Sequence, residues 1–463
     1  MRTWALAAAL SLAACPGPAP EAGADSGSTP GLDAAATPGP DAATPADVGT
    51  SASDSGAQAA DAGGAGPDAA AAQPDSGSTG LGHGFRTHAP FPAGVLSPSG
   101  TAAAHDQATA DFYDAWKSKY LKAGCKSGEY RVKSSPSTSA YTVSEAHGYG
   151  MIFAVVMAGH DPDARTIFDG LVAYRDGHPS GIDSGLMAWA QDASCADVEG
   201  NDAATDGDLD IAYALLLADR QWGSSGAVNY LQKGKATIAS ILASEIHPQN
   251  SILVGDWAGS SDSHYDGTRP SDFAPGHFKA FQKASGVARW SLVVDKTYST
   301  IGYLQSQYAA TTGLLPDFAV NAPTATPQPA PAQWLEGDDD GHYSWNACRT
   351  PWRIATDFVV SGEPRSQAAI RKLNAWIRTK TGGNPRSIRD GYDLSGNALG
   401  TGEELAFIAP FGVAAMVEAE SGSNQAWLDA LWTDVAGRST TDYYADSIKL
   451  MAMLVMGGNW WAP

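Results

Sequence analysis

Helical periodicity runs through the chain from about residue 100 to its end, and it constrains the fold more than any other feature. Apolar residues recur there at the three- and four-residue spacing of one helix face. The pattern predicts about twelve helices, which begin near residues 103, 144, 164, 206, 226, 271, 289, 352, 365, 403, 424 and 441. Twelve helices joined as antiparallel hairpins make six pairs, which is the number of helical hairpins in an all-α (α/α)6 barrel.

Long loops rich in Gly, Pro and Asp precede the fourth, sixth, eighth and tenth predicted helices. They span residues 175–205, 247–270, 310–351 and 382–402. If neighbouring helices alternate in direction, all even-numbered helices begin at the same end of the barrel. The long loops therefore predict the walls of a cleft at that end.

The first part of the chain differs in composition from the rest. Residues 1–15 predict a lipoprotein-type signal peptide, with Arg2 before an apolar run too short to span a membrane. The end of this run resembles a lipobox in which Cys15 becomes a lipid anchor; the alternative is an ordinary signal peptide with an incidental cysteine. Residues 16–85 are mostly Ala, Gly, Pro, Ser and Asp, which predicts a disordered linker to a domain at 86–463. Such a chain is exported, either secreted or held facing outward on the cell envelope.

The 463 residues carry a formal net charge of −21, which argues against a nucleic-acid surface. An acidic surface attracts cationic partners and repels polyanions, although many secreted proteins are simply acidic. Cys125 and Cys195 lie in polar, loop-like surroundings and are the candidate disulfide pair, whereas Cys348 is expected to be small and buried. The spacing of Cys and His residues indicates no metal site, and we expect a monomer without a cofactor.

Three carboxylates, Asp206, Asp208 and Asp210, stand within five residues at the start of the fourth predicted helix. One interpretation is an acidic cap, because carboxylates are favourable at a helix N-terminus. A calcium loop fails on spacing, since its sixth position is Ile211 rather than Gly and its twelfth is Leu217 rather than Glu. The third interpretation is a carboxylate that acts on a sugar.

The stretch Ala204–Tyr213 resembles the signature of glycoside hydrolase family 8, and five further stretches agree with it in order. They are Ser144–Met151 (SEAHGYGM), Gly255–Trp257 (GDW), Arg269–Phe273 (RPSDF), Thr312–Phe318 (TGLLPDF) and Asn346–Arg353 (NACRTPWR). The resemblance implies the same (α/α)6 barrel and an inverting, endo-acting hydrolase of β-1,4-linked glycans. It makes residues 86–463 the catalytic domain.

The resemblance assigns Glu145 the role of general acid, and Asp206 that of holding the distorted sugar and the attacking water. Many family members have Asp where this chain has Asn346, and an amide cannot accept a proton at neutral pH. A subgroup of the family has Asn there and takes its base from a Glu on the preceding loop. Glu336 fits that Glu best, with Asp338 and Asp340 behind it, although the acidic run at 336–340 is also typical of a solvated loop.

Aromatic side chains near the long loops are candidates to stack on sugar rings, and each is equally able to pack internally. They are Tyr149, Trp189, Trp257, Trp334, Tyr343 and Tyr392. Polar side chains suited to hold hydroxyls or to set carboxylate charges are Arg269, Asp272, Asn346 and Arg349. His147 is expected to make a structural hydrogen bond.

The polysaccharide is the least determined feature. The Asn subgroup includes enzymes that act on chitosan, on lichenan-type mixed-linkage glucan and on cellulose derivatives, and the acidic charge favours chitosan. Two hypotheses from other classes stay open: a non-catalytic glycan-binding envelope lipoprotein that has lost the base, and a lyase on the same barrel.

Overall fold

The computed structural model describes residues 82–418, 422–440 and 442–463. The predicted signal peptide, Cys15 and nearly all of the linker lie outside the described residues. Within these ranges the chain forms twelve α-helices: α1 Ala102–Tyr120, α2 Ser144–Val156, α3 Ala164–Asp176, α4 Thr205–Trp222, α5 Tyr230–Ser240, α6 Pro275–Ser285, α7 Arg289–Gln307, α8 Thr350–Ser361, α9 Pro364–Thr381, α10 Leu405–Ala415, α11 Gly422–Gly437 and α12 Tyr443–Met456. The predicted helix count and order are confirmed.

The even-numbered helices form the inner ring of an (α/α)6 barrel. Each packs against the next even-numbered helix, and α12 closes the ring on α2, while the odd-numbered helices pack outside. The burial of the side chains agrees with this arrangement. Every residue of the inner helix α10 is buried, whereas the outer helix α9 buries only one stripe of residues. A helix that is apolar on all sides is stable only where neighbours surround it.

Two helices begin four residues later than their periodicity predicts. The helix α5 begins at Tyr230 because Asn229 caps it, accepting the backbone N–H of Gln232 at 2.9 Å. The helix α6 begins at Pro275, because the preceding residues Pro270–Asp272 form a separate 3-10 turn. That turn places Arg269 and Asp272 in a loop rather than on the helix.

Short antiparallel strand pairs brace the loops at one end of the barrel. They are β1 Leu121–Ala123 with β2 Tyr130–Val132, β3 Thr142–Val143 with β4 Ala190–Gln191, and β5 Ala319–Val320 with β6 Gln328–Pro329. In the second pair Thr142 stands opposite Gln191, which ties the loop before α4 to the residues that start α2. A π-helix at Ile241–Glu245 continues α5.

The predicted cysteine pairing is confirmed: Cys125 and Cys195 form a disulfide that joins the loop between β1 and β2 to the loop after β4. Cys348 is a buried free thiol, as expected. Phe85 is also buried, and its N–H donates to the carbonyl of Ala158, so the compact domain includes the last residues assigned to the linker. Within the described ranges, no helix has both the length and the apolar character that a membrane span requires.

Candidate active site

A cleft of about 570 Å³ opens where the even-numbered helices begin. Glu145 is the second residue of α2 and Asp206 the second residue of α4. Arg269 and Arg349 come from the loops that lead into α6 and α8, and Glu336 comes from the long loop before α8. All five line the cleft, so one end of the barrel collects side chains that lie far apart in sequence.

Glycine allows α2 and α4 to touch at their first turns. A Cβ on Gly207 would lie 2.2 Å from the Oγ of Ser144, and one on Gly148 would lie 2.7 Å from the Cβ of Asp210. Neither distance is possible for a real side chain, so both positions require glycine. The close approach of the helices brings Glu145 and Asp206 to one arginine.

That arginine is Arg349, which is only 2% exposed. Its Nη1 donates to Oε1 of Glu145 and, at 2.9 Å, to Oδ2 of Asp206. Its Nη2 donates to the Oγ of Ser271 at 2.8 Å and to the side-chain oxygen of Asn346 at 3.0 Å. The planar guanidinium therefore fixes two carboxylates and an amide in one arrangement.

Asp206 lies between two cations. Its Oδ1 is 2.9 Å from Nη2 of Arg269, in addition to its bond with Arg349. Burial by itself would raise the pKa of Asp206, but the two guanidinium groups outweigh it and hold that pKa below its usual range. Asp206 is thus a permanent anion that can orient a hydroxyl or a water but cannot supply a proton.

Glu145 has the opposite character. Burial raises its pKa and the charge of Asp206 adds to the rise, although Arg349 opposes it. The hydroxyl of Tyr149 donates to Oε1 of Glu145 at 2.9 Å. A raised pKa favours the protonated form of a carboxyl group, and that form suits a proton donor.

Glu336 is held at the cleft by its own loop and by Asn346. The loop turns around the buried Asp340, whose carboxylate accepts the backbone N–H groups of Leu335, Glu336 and Gly337 at 2.7, 3.1 and 2.9 Å. The amide Nδ2 of Asn346 donates to Oε2 of Glu336 at 2.8 Å. Burial raises the pKa of Glu336 to about 7, against the lowering effects of Arg269 and this hydrogen bond. In the same acidic run, Asp338 and Asp339 are exposed at the rim.

The six predicted aromatic platforms divide into four groups. Trp189 lines the cleft, with its indole N–H bonded to the carbonyl of Glu199 at 2.9 Å. Tyr149 is fully buried, and its hydroxyl bonds to Glu145, so its ring is not available to a sugar. Trp257 and Trp334 pack with Phe318 in a small hydrophobic cluster outside the cleft lining.

The expectation that Tyr343 and Tyr392 stack on sugar is corrected by the structure. Both rings are buried in the core, with exposed fractions of 0% and 1%, and their backbones pair with each other. A ring without exposed surface cannot receive a sugar. Asp272 is likewise buried and binds the Nε of Arg269 at 3.0 Å, so it positions Arg269 instead of contacting substrate. His147 makes the structural bond expected of it, donating to the carbonyl of Leu171 at 2.7 Å.

Sequence reasoning missed several residues that line the cleft. They are Lys119, Tyr120, Lys133, Asp317, Trp345, Tyr443 and Tyr444. Trp345 precedes Asn346 directly and is 36% exposed. Tyr443 and Tyr444 begin α12, so the rule that even-numbered helices start at the cleft could have found them.

The fold and the paired carboxyls in its cleft define a glycosidase, and comparisons with known proteins place the chain more closely. Residues 90–458 match the sequence model of the glycosyl hydrolases family 8, and the chain belongs to that family. It is 50% identical over 379 residues to a beta-glucanase of Niallia circulans, covering 81% of this chain and 91% of the relative. It is 39% identical over 390 residues to an endoglucanase of Bacillus sp. strain KSM-330, covering 81% and 82% of the two chains.

Among solved structures, the chain resembles a β-1,3-1,4-glucanase from Paenibacillus sp. X4 in its apo form. The TM-score is 0.80 at 48% identity, over 83% of this chain and 100% of the other. The protein is an endo-acting glycoside hydrolase.

Proposed function

We propose that the protein is an inverting endo-β-glucanase that cleaves β-1,4 bonds in a mixed-linkage β-1,3-1,4-glucan. The β-glucanase and the β-1,3-1,4-glucanase at 50% and 48% identity support this substrate. We also propose that the chain belongs to the subgroup with Asn in place of the usual Asp base. The single observation that supports this most is the hydrogen bond from Asn346 to Glu336. It holds the carboxyl group of Glu336 next to position 346, where this chain has an amide in place of the usual Asp.

The proposed reaction is a single displacement with three carboxyl groups in separate roles. Glu145 gives its proton to the bridging oxygen as the glycosidic bond breaks. Glu336 takes a proton from a water that attacks the anomeric carbon from the opposite face, so the configuration inverts. Asp206 stays ionised and holds the distorted sugar and the water. The second proton transfer leaves Glu336 protonated, and exchange with solvent restores both groups.

The amide of Asn346 suits this arrangement because it both accepts and donates. Its oxygen accepts from Arg349, and its Nδ2 donates to Glu336. A carboxylate at this position could only accept, and it would repel Glu336. The amide thus connects the proposed base to the arginine that binds Glu145 and Asp206.

Chitosan is the second candidate substrate, because the described cleft lining is acidic. It contains eight carboxyl groups and four cationic side chains, namely Glu145, Asp206, Asp317, Glu336, Asp338, Asp339, Asp340 and Asp442 against Lys119, Lys133, Arg269 and Arg349. Asp338, Asp339 and Asp442 are exposed at the rim, where they would attract amino sugars.

The test is reducing-end release by the full chain on mixed-linkage glucan, carboxymethylcellulose, chitosan and xylan in parallel. We expect mixed-linkage glucan to be cleaved fastest, with products whose new reducing ends first appear as the α anomer by NMR. Glu145→Gln and Glu336→Gln should each lower kcat by about 10²–10⁴-fold. Faster cleavage of chitosan would replace the substrate assignment, an initial β anomer would overturn inversion, and an active Glu336→Gln would overturn the base.

We further propose that the protein is an exported monomer anchored to the envelope through a lipid on Cys15. The lipobox-like sequence before Cys15 and the linker composition support this. Radiolabelled palmitate should enter the wild-type chain but not Cys15→Ser, and the variant should be released from membranes. Equal labelling of both chains would contradict the anchor.

A further inference from the structure

A buried ionic cluster lies directly beneath the proposed acid, and the mechanism above makes no use of it. Its centre is Asp210 on α4, which has no exposed surface. Both of its oxygens accept from Arg353 on α8, at 2.6 Å each, and Nε2 of His277 on α6 donates to Oδ1 at 3.0 Å. The three residues, here called the Asp210 cluster, join three inner helices of the barrel.

The Asp210 cluster contacts the first turns of α2 in two ways. The Arg353 guanidinium lies 5.9 Å from the centre of the Tyr149 ring, and Tyr149 bonds to Glu145. The Cβ of Asp210 itself fills the space in front of Gly148, the residue before Tyr149. The chain of contacts therefore runs from Asp210 through Arg353 and Tyr149 to the carboxyl of Glu145.

The opposite side of the cluster is closed by aromatic rings. The His277 ring stacks on Tyr213 with centroids 3.8 Å apart and an interplanar angle of 10°, and Tyr213 stacks in turn on Trp460. Burial lowers the pKa of His277, although Asp210 opposes the shift, and this favours the neutral ring with one N–H donated to Asp210. The cluster therefore holds one cation and one anion, and Asp210 cancels the charge of Arg353.

This cancellation matters because Arg353 acts on the groups above it. Its charge lowers the pKa of both Tyr149 and Asp206, while Asp210 opposes it at Tyr149. Without its counter-ion, the positive charge of Arg353 would lower the pKa of Glu145. Glu145 must stay protonated to act as the proposed acid.

We propose that Asp210 is a positioning residue for the catalytic acid: it holds Arg353 under Tyr149 and neutralises it, so that Glu145 keeps the proton it donates. The proposal rests on the proposed role of Glu145. Among the described residues, the other titratable or charged side chains that face Glu145 are Asp206 on α4, Arg269, Cys348 and Arg349 from the segments before α6 and α8, and Tyr443 and Tyr444 on α12.

The test compares pH profiles of kcat/KM for the full-length wild type and Asp210→Asn, which keeps the shape of the side chain but removes its charge. We expect the alkaline limb, where the acid loses its proton, to move to lower pH by about half a unit or more. The pair Asp210→Asn with Arg353→Gln removes both charges, so its limb should return to within about 0.2 units of the wild type. Its kcat should stay about tenfold low with KM little changed, since Tyr149 has lost its support.

The matched control is Asp357→Asn. Asp357 lies on α8, one turn after Arg353, and is buried like Asp210. Its carboxylate is bound by Lys279 and Tyr298 rather than by Arg353. Both single variants should lower the melting temperature, and only Asp210→Asn should move the limb. If its profile superposes on the wild type, or if Asp357→Asn moves the limb equally, Asp210 has only a structural role.

If Asp210→Asn does not fold, the double variant Asp210→Asn with Arg353→Gln tests the proposal instead, because it leaves no unpaired charge. A kcat of this double variant within about twofold of the wild-type kcat would overturn the proposal. Glu145→Gln is measured beside these variants. If that variant stays active, the assignment of the acid fails, and this failure is seen independently of any shift caused by Asp210→Asn.

Discussion

The side-chain amide of Asn346 bridges Glu336 and Arg349, donating to the carboxylate at 2.8 Å and accepting from the guanidinium at 3.0 Å. Arg349 in turn binds Glu145 and Asp206. Every proposed catalytic carboxyl is therefore connected through one arginine and one amide. A change at Asn346 should be felt first at Glu336, its nearest ionisable neighbour.

Asn346→Asp places a second carboxylate beside Glu336. Like charges at that distance disfavour ionisation, so the pKa of Glu336 should rise further above its present value of about 7. Since the base must be ionised, the acid limb of kcat/KM should move to higher pH by about one unit or more, and activity at pH 6 should fall. Asn397→Asp is the matched control, because Asn397 makes the same kind of bond to Asp393 on the surface. An unmoved acid limb would show that Glu336 does not titrate in that limb.

Glu336→Gln should stabilise the folded protein at alkaline pH. The folded pKa of Glu336, about 7, is raised above the ordinary value of 4.5, so the folded state favours the protonated form. Its contribution to stability is fully present below about pH 4.5 and is lost as pH rises through 7. At pH 8 the variant should exceed the wild type by about 1–2 kcal/mol in unfolding free energy, and at pH 4.5 the two should be similar. Thermal unfolding at both pH values measures this, with the exposed Asp338→Asn as a control that should show no such difference.

Glu245→Gln should also raise stability at high pH. Among the described residues, neither carboxyl oxygen of Glu245 has a hydrogen-bond partner, and neither has Oδ2 of Asp208. Burial, despite nearby Arg175, raises the pKa of Asp208 to about 8, and burial together with Asp208 raises that of Glu245. The contribution of Asp208 to stability is therefore lost as pH rises through 8, and the raised pKa of Glu245 acts in the same direction. An amide at position 245 would remove one of the two charges.

At pH 9, the unfolding free energy of Glu245→Gln should exceed that of the wild type by about 1–3 kcal/mol, and the difference should become smaller towards pH 6. Denaturant unfolding at the two pH values measures it. Glu363→Gln is the contrasting variant. The hydrogen bond from Arg365 lowers the pKa of Glu363 to about 2, so its contribution is present above pH 4.5 and lost as pH falls through 2. That variant should be less stable than the wild type at neutral pH. A loss of stability at pH 9 in Glu245→Gln would contradict the argument.

The disulfide should matter to both stability and substrate affinity. Cys125 and Cys195 are 70 residues apart, and the loop that contains Cys195 follows Trp189 on the cleft wall. The double variant Cys125→Ser with Cys195→Ser should lose about 2–4 kcal/mol of unfolding free energy. Its KM should rise more than its kcat falls, because the cleft wall moves while the carboxyls stay in place. Dithiothreitol should lower the melting temperature of the wild type but leave that of the double variant unchanged.

Most of the fold could be predicted from the sequence because helical periodicity is a local signal. Ten of the twelve helices begin within about three residues of their predicted starts, while α5 and α6 begin four residues late because of a cap and a 3-10 turn. The alternation of helix direction then located Glu145, Asp206 and Arg349 at one end. The same rule, applied to α12, would have added Tyr443 and Tyr444.

The aromatic residues show where such reasoning ends. Trp189 and Tyr343 have similar loop surroundings in the sequence, yet one lines the cleft and the other has no exposed surface. Whether a ring faces solvent depends on the elements that pack over it, and these lie far away along the chain. Asp272 and Tyr149 are similar, since each contacts a cleft residue from below.

The sequence by itself determined the number and order of the helices and the end of the barrel where the motifs meet. For the proposed mechanism, it also indicated that the base must be a carboxyl group elsewhere, since residue 346 is an amide. These follow from local periodicity, helix direction and the chemistry of an amide. Only the tertiary structure decided that Glu336 faces Asn346, that Arg349 joins the carboxyls and that Asp210 lies beneath them with Arg353. Hydrogen bonds, burial and pKa depend on distances between residues that are remote in sequence, and packing alone sets those distances.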